Sequence, residues 1–162
     1  MAVTTANVLW GTGTVSIGDA AGGTFTDIGA TEDGFNISLV TEHEAVDVNE
    51  LTQSIDMIIT KQAVVAEFTM AEATLANMAK VMPGTTFSTS ITLMGSTTMA
   101  KSSVKFVATK AGGGTRTITL SYGTFTSDSA QSYKKGEKWM VPCRFETLYD
   151  SSTPTFTIAD SA

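Results

Sequence analysis

The stretch Glu42-His43-Glu44 places the only histidine of the chain between two carboxylates. Imidazole and carboxylate groups that converge can hold a metal ion or exchange protons. On an extended strand, however, neighbouring side chains point to opposite faces, so His43 diverges from both glutamates. No second His, Cys pair or spaced carboxylate set stands nearby to complete a metal site. The pattern therefore predicts a solvated strand and no metal.

Two further features resemble chemical motifs and fall short of them. Cys143 lies in Met-Val-Pro-Cys-Arg-Phe, without the signature of an activated thiol, and is predicted to be a buried or interface strand residue. Gly11-Thr12-Gly13 lacks the third glycine and the following helix of a dinucleotide-binding turn. No nucleophile, base and orienting acid are brought together by local spacing. The chain is predicted to have no catalytic residues and no cofactor, and not to be an enzyme.

Charge is divided unevenly along the chain. Residues 1–60 hold nine Asp and Glu and no Lys or Arg, whereas residues 61–162 hold all ten basic residues and seven acids, giving the net charge of −6. Such a division favours head-to-tail attraction between copies, and it equally suits a surface that must not hold a polyanion. An acidic chain argues against specific nucleic-acid binding, which depends on clustered Lys and Arg.

Size and composition bound the remaining possibilities. A chain of 162 residues with 42% hydrophobic content suits one domain with its own core. Its single cysteine excludes an internal disulfide. The first residues lack a basic stretch followed by an apolar segment, and no apolar run reaches the roughly 18 residues of a membrane span. The expectation is a protein made and kept in the cytoplasm, without a membrane anchor.

Most of the chain alternates Thr, Val, Ile and Phe with polar residues, which is the period of a half-buried strand. Gly-rich stretches separate these segments, and residues 111–115 are predicted to form a hairpin tip. The fold class predicted is mainly β, an antiparallel sandwich or barrel. Strands are predicted at residues 8–17, 34–40, 54–59, 63–68, 103–109, 115–122, 138–147 and 155–159. The segment 115–120 carries little charge to protect a strand edge, which favours completion of the sheet by neighbouring copies.

One short helix is expected to flank the sheet. Thr69 and Glu72 have the spacing of a capping box at a helix start, and Pro83-Gly84 is predicted to end the helix. The apolar residues that follow at helical spacing are Ala71, Leu75, Met78, Ala79 and Met82. This stripe is predicted to pack on the sheet.

Two stretches carry a resemblance to a known family. Residues 29–38 lead into an acidic extended run, a polar stretch at 48–54, a strand, a helix and Pro-Gly, in that order. Near the end, a polar loop at 133–138 leads into Val-Pro-Cys-Arg-Phe-Glu-Thr-Leu-Tyr-Asp at 141–150. Together they resemble the major tail tube proteins of tailed bacteriophages, from about residue 29 to residue 158. Thr147 stands where that family usually has Ala.

The resemblance implies a single tail-tube-like domain over residues 1–162, forming hexameric rings that stack into a hollow tube through which the genome is ejected. The inner sheets of such rings join into one β-barrel around an acidic lumen, so double-stranded DNA passes without specific binding. Tape measure, terminator and baseplate proteins would be its partners. The protein would be located in the virion tail after synthesis in the host bacterial cytoplasm.

The resemblance also implies a long extended acidic loop at residues 41–54 that reaches a neighbouring ring or subunit. Glu42, Glu44, Asp47 and Glu50 are the candidates for this inter-ring or inter-subunit contact, or for the lumen wall. A solvated hairpin without a partner remains the competing interpretation.

Two other functions stay open at this point. A carbohydrate- or receptor-binding β-sandwich would use aromatic platforms, for which the candidates are Trp10, Tyr122, Tyr133, Trp139 and Tyr149. A tube subunit of a contractile secretion system would share the tail tube fold, and no local motif separates the two.

Overall fold

A strongly curved antiparallel sheet forms most of the molecule. The computed structural model describes residues 9–20, 23–47, 53–82, 85–93, 98–126 and 135–161. In these ranges the strands are β1 (Leu9–Asp19), β2 (Phe25–Asp27), β3 (Thr31–Val46), β4 (Asp56–Met70), β5 (Thr85–Phe87), β6 (Ile91–Leu93), β7 (Ser102–Lys110), β8 (Thr115–Phe125), β9 (Val141–Thr147) and β10 (Phe156–Ser161). Helix α1 spans Leu75–Val81.

Eight of these strands belong to one sheet. Seven follow the order β2-β1-β7-β8-β9-β4-β3, β10 pairs with β8, and β5 and β6 form a separate ribbon. The sheet curls until β3 meets β7, where the rings of Phe35 and Phe106 stack with centroids 4.6 Å apart. No pairing joins β2 to β3 in the described ranges, so the sheet does not close into a barrel. The predicted mainly-β, antiparallel class with one short helix is confirmed, without the closed barrel.

The core lies inside this curl. Strand β9 shows the strand period clearly, because Val141, Cys143, Phe145 and Thr147 are buried while Pro142 and Arg144 between them are exposed. Phe145 is fully buried and its ring meets that of Phe125 edge to face, with centroids 5.1 Å apart. The other members of the core come from β1, β4, β7, β8 and α1, together with Ile28 between β2 and β3. Burial of these alternating rows fixes the register of each strand.

The acidic stretch differs from the predicted loop. Residues 41–46 belong to β3 and pair with residues 56–62, and the strands predicted at 54–59 and 63–68 are one strand, β4. The predicted loop at 41–54 is therefore shorter, because cross-strand pairing continues to Val46↔Asp56. Residues 48–52 lie outside the described ranges. The acidic segment is thus mostly a paired hairpin.

Strands β1, β7, β8, β9 and β10 lie where the alternation places them, with shifted ends, whereas the short strands β2, β5 and β6 have no predicted counterpart. Strand β9 begins at Val141 rather than residue 138, and β10 runs Phe156–Ser161 rather than 155–159. The predicted hairpin tip after β7 is confirmed, since the amide of Lys110 donates to the carbonyl of Gly114 over 3.1 Å. Gly113 and Gly114 have φ of 89° and 80°, a conformation that favours glycine.

Helix α1 begins later than predicted. Thr74 is its N-cap, and its hydroxyl accepts from the amide of Asn77 over 3.2 Å. Thr69, the predicted cap, lies in β4 opposite Glu32 and Pro142, so sheet pairing overrides the local capping pattern. The helix ends at Val81, and Pro83-Gly84 lies outside the described ranges. The packing on the core is confirmed for the buried Met78, whereas Leu75 is 46% exposed.

The cap at Thr74 gives a stability prediction. Replacing Thr74 with Ala removes the acceptor of the Asn77 amide and is expected to lower the free energy of unfolding by about 1 kcal/mol. Urea unfolding followed by far-UV circular dichroism measures the change. The Thr74→Ser variant keeps a hydroxyl, and its free energy of unfolding is expected to lie within about 0.5 kcal/mol of that of the parent. An Ala variant as stable as the parent would contradict this cap.

Candidate assembly surface: the β3–β4 arm and the β10 edge

The hairpin of β3 and β4 extends beyond the rest of the sheet. Strand β9 pairs with β4 only as far as Val65↔Glu146. At the next residue the amide of Val64 donates to Thr147 Oγ1 over 2.8 Å. From Ala63 to Asp56, β3 is the only strand of the described ranges that pairs with β4. We call residues 39–47 and 53–63 the arm. A two-stranded ribbon of this kind gains little stability by itself, so its exposed side chains matter for what it contacts.

One face of the arm is free of acidic and basic groups other than His43. Residues opposite each other in an antiparallel pair share a face. This row continues the core-facing row of Phe35, Ile37, Ala66 and Phe68 past the point where the core ends. Its members are Leu39, Thr41, His43 and Ala45 from β3, with Gln62, Ile59 and Met57 from β4. We call it the uncharged face.

The uncharged face carries three large exposed apolar side chains, with Thr41, His43 and Gln62 between them. Leu39 is 64% exposed, Met57 61% and Ile59 62%. In the body of the sheet the same row is buried or partly buried, so these side chains extend a core surface into solvent. Exposed large apolar side chains grouped on one face mark a candidate contact site.

The opposite face of the arm carries the acids. We call it the charged face, and it consists of Val40, Glu42, Glu44 and Val46 from β3 with Lys61, Ile58 and Asp56 from β4. Lys61 Nζ lies 3.9 Å from Glu42 Oε1 and 3.9 Å from Glu146 Oε1. These side chains are well exposed, apart from Glu146 at 28%, so the ion pairs contribute little stability.

The predicted acidic residues are therefore only partly brought together. Glu42 and Glu44 share the charged face, Asp47 is exposed just past the end of β3, and Glu50 lies outside the described ranges. His43 lies on the other face, as predicted, and does not converge with the glutamates. In the part of the chain that the structure describes, no group of three or more His, Cys, Asp or Glu could hold a metal ion.

A groove separates the base of the arm from β10. The sheet forks at β8, which pairs with β9 through residues 123–125 and with β10 through residues 115–120. The resulting groove has a volume of about 580 Å³ and includes Leu39 and Ile59 of the arm, with Leu148, Tyr149 and Phe156 on the other side. Its only ionisable side chains are those of Lys61 and Tyr149, so it lacks a converging set of acid, base or nucleophile.

Strand β10 is held to β8 by backbone pairing and by a small ionic cluster. Arg116 donates from Nε and Nη2 to the two carboxylate oxygens of Asp160 over 2.6 and 2.8 Å. Lys110 Nζ lies 3.4 Å from Asp160 and donates to the carbonyl of Ser161 over 3.2 Å. The bonds from Arg116 lower the pKa of Asp160 to about 2, and the carboxylate raises the pKa of Arg116.

The described aromatic residues considered for sugar binding do not expose their rings side by side on one surface. Trp139 is partly buried and packs against the core, and Tyr122 is half-buried. Tyr149 is 85% exposed beside the groove. The side chain of Trp10 and all of Tyr133 lie outside what the structure describes. No pair of exposed aromatic rings is therefore seen among the described candidates.

Cys143 is buried, as predicted. Desolvation raises the pKa of its thiol to about 12, so the nucleophilic thiolate is not populated near neutral pH.

Sequence reasoning missed the division of the arm into two faces. The alternation of β3 was readable, but β4 shifts register between the Glu42↔Lys61 and His43↔Ile59 pairs, so Thr60 is left without a partner. This bulge places Ile59 and Met57 on the same face as Leu39. No glycine or proline in β4 signals the bulge, and the run Met-Ile-Ile-Thr looks equally apolar on both faces.

Comparison with known proteins adds no assignment. No family model matches the sequence, and no curated protein matches it. Within the described ranges, no helix has the length and apolar character needed to cross a membrane.

The ionic cluster predicts a pH dependence for β10. The pKa of Asp160 is lower in the fold than the ordinary value of about 3.9. The stabilisation of the fold by the ionised carboxylate is therefore fully present above about pH 3.9, and it is lost as the pH falls through about 2. In the Asp160→Asn variant, the amide hydrogens of β10 are expected to exchange faster at pH 6 than they do in the parent protein. At pH 1.5 the two proteins are expected to exchange alike. Amide exchange measured on both proteins at each pH tests this, and an equal rate at pH 6 would contradict it.

Proposed function

We propose that this protein is a structural subunit that assembles with copies of itself into hexameric rings, stacked as the hollow tail tube of a tailed bacteriophage. The observation that carries the proposal is the uncharged face of the arm, a continuation of the core row with no cover. The order of sequence elements resembles that of the tail tube family, and this resemblance supports a tail tube as the kind of assembly formed. Its site of action is then the virion tail.

Burial of the uncharged face supplies a driving force. Full burial of one Leu, Ile or Met side chain contributes about 1.5–3 kcal/mol. Covering the exposed parts of Leu39, Met57 and Ile59 therefore contributes several kcal/mol toward the roughly 4–15 kcal/mol that association costs. A mainly apolar partner surface suits this face, because it carries no Asp, Glu, Lys or Arg. Another copy of the chain offers such surfaces.

The opposite end of the molecule carries one of them. The amide of Ala71 donates to the carbonyl of Ala30 at the start of β3, so α1 lies at the end of the sheet away from the arm tip. Leu75, Met99 and Met140 are each more than a third exposed, and the ends of their neighbouring strands place them toward that end. These apolar side chains and those of the uncharged face would meet in a head-to-tail stack, which is a heterologous contact that can propagate.

Open strand edges support growth within a ring. In the described ranges β3 pairs only with β4, and β10 pairs only with β8, so each has one edge without a strand beside it. Native proteins usually block long edges with charge, proline or a covering segment. Edges of this length suit a sheet that continues into the next subunit.

The charged face fits a conduit for DNA. Glu42, Glu44 and Asp56 lie on the side of the arm that does not need an apolar cover. Facing a lumen, these carboxylates would repel phosphates and let double-stranded DNA pass without specific binding. Tape measure, terminator and baseplate proteins are the partners this role requires at the ends and inside the tube.

Two neighbouring isoleucines test the proposal. Ile59 on the uncharged face is 62% exposed and Ile58 on the charged face is 51% exposed, so Thr is tolerated by the isolated fold at either position. The parent protein, concentrated and imaged by negative-stain electron microscopy, is expected to form rings or tubes of uniform width. Ile59→Thr is expected to raise the concentration needed for assembly by about tenfold or more, because an apolar contact is lost. Ile58→Thr is the matched control and is expected to assemble like the parent.

Compact monomers of the parent at every accessible concentration would overturn the proposed function. Equal effects of the two substitutions would keep self-assembly and remove the assignment of the uncharged face as the contact. Sedimentation of the same samples measures the assembled fraction, and circular dichroism verifies that each variant is folded.

A further inference from the structure

Strand β10 is attached to the molecule far less firmly than its neighbours. Five of its six residues are exposed, Ile158 at 54%, and only Phe156 packs against the core. Strand β9, which follows the same side of β8, is instead buried at alternate positions. Beyond Phe156, the attachment consists of the ladder to β8, a hydroxyl contact between Thr115 and Ser161, and the partly exposed ionic cluster of Arg116, Lys110 and Asp160. These contacts lie at the surface, whereas β9 is anchored by side chains buried in the core.

The edge beneath β10 is of the opposite character. Residues 117–120 of β8 read Thr-Ile-Thr-Leu, with Leu120 buried and Ile118 packed against the core. Without β10 this segment would present an uncharged, β-prone edge whose backbone groups lack partners. This edge of β8 therefore needs a strand paired with it, but the strand could be β10 of the same molecule or an equivalent strand of another.

The connection to β10 allows replacement by an identical strand. Residues 148–155 are anchored to β8 at their ends, where Leu148 donates to the carbonyl of Tyr122 and Ser121 donates to the carbonyl of Thr155. Between those anchors, the hydrogen bonds described are local ones within residues 150–153. Eight extended residues span about 26–29 Å, enough to reach an adjacent molecule. Pro154 favours an extended connection.

We propose that β10 is exchanged between copies, so that in the assembly the β10 of one molecule pairs with the β8 of the next. The incoming strand has the same sequence, and it restores the same register and the same bonds from Arg116 to Asp160. Exchange of an identical element needs no new complementary surface and adds a connection between subunits. In the single copy β10 covers the edge of β8 and keeps it from other strands. The inference needs a second copy, and it holds for a tube or for any smaller oligomer.

Single cysteines placed across the β8–β10 ladder report which molecule supplies the strand. Thr117 and Ala159 are directly opposed, and opposed residues have Cα atoms about 4.5–5.5 Å apart, within the range for a disulfide. Thr117→Cys and Ala159→Cys chains, distinguished by a mass tag, are co-expressed, purified, concentrated and oxidised. No chain carries both cysteines, so a bond between the two positions joins two molecules. Native Cys143 is buried with its pKa raised to about 12 and does not compete.

Exchange predicts a two-chain band on a non-reducing gel that contains one chain of each variant, and its loss on reduction. Either variant alone is expected to give no such band. The double variant Thr117→Cys/Ala159→Cys, oxidised at low concentration, is expected to migrate as a single chain with a mobility shift, which verifies the register. A closed single-chain disulfide in the double variant without any two-chain band from the co-expressed pair would overturn the exchange. Failure of the double variant to form its disulfide would overturn the pairing beneath it.

Electron microscopy of the same samples separates this inference from the proposed function. Tubes without the two-chain band leave the tube assignment in place and overturn strand exchange. A two-chain band in small oligomers without tubes supports exchange and counts against the tube.

Discussion

The fork of the sheet at Thr147 is the constraint on which the other features depend. Strand β9 ends there, and the Thr147 hydroxyl accepts the amide of Val64 in place of the next rung of the ladder. Beyond that bond β4 has β3 alone beside it, and β10 takes the remaining edge of β8. The arm, the groove and the weakly held last strand all follow from this one separation. An unbroken sheet would have left no open edge on β4 along the arm.

Under the proposed function, the two faces of the arm would combine properties that a tube subunit needs at once. The uncharged face continues the core row and would gain free energy when covered, whereas the carboxylates of the charged face would repel phosphate. Had the acids lain on the core-facing row, covering that row would have required desolvating carboxylates at a large cost. This conflict does not arise, because alternate positions along the strand place the apolar and the acidic side chains on opposite faces.

The sequence was informative wherever a single local rule decides the outcome. Alternation located β1, β7, β8 and β9, and the glycines at 111–115 located a turn, because burial and positive φ act on short segments. It failed at Thr69, where pairing with Glu32 and Pro142 outweighed a capping pattern. It also could not divide the arm, since the bulge at Thr60 depends on register with β3, which only the folded pair defines. Composition predicted that the acidic stretch carries the candidate acids, but it did not predict on which face of the arm they lie.

Hydrogen exchange of the arm at two protein concentrations tests the central claim most directly, since the claim is that another copy covers the uncharged face. In dilute protein the amides of residues 56–63 that pair with β3 are expected to exchange fast, because an uncovered two-stranded ribbon opens readily. In concentrated protein they are expected to slow by about tenfold or more, while core amides such as that of Phe145 stay unchanged. Identical exchange of the arm at both concentrations would contradict the account.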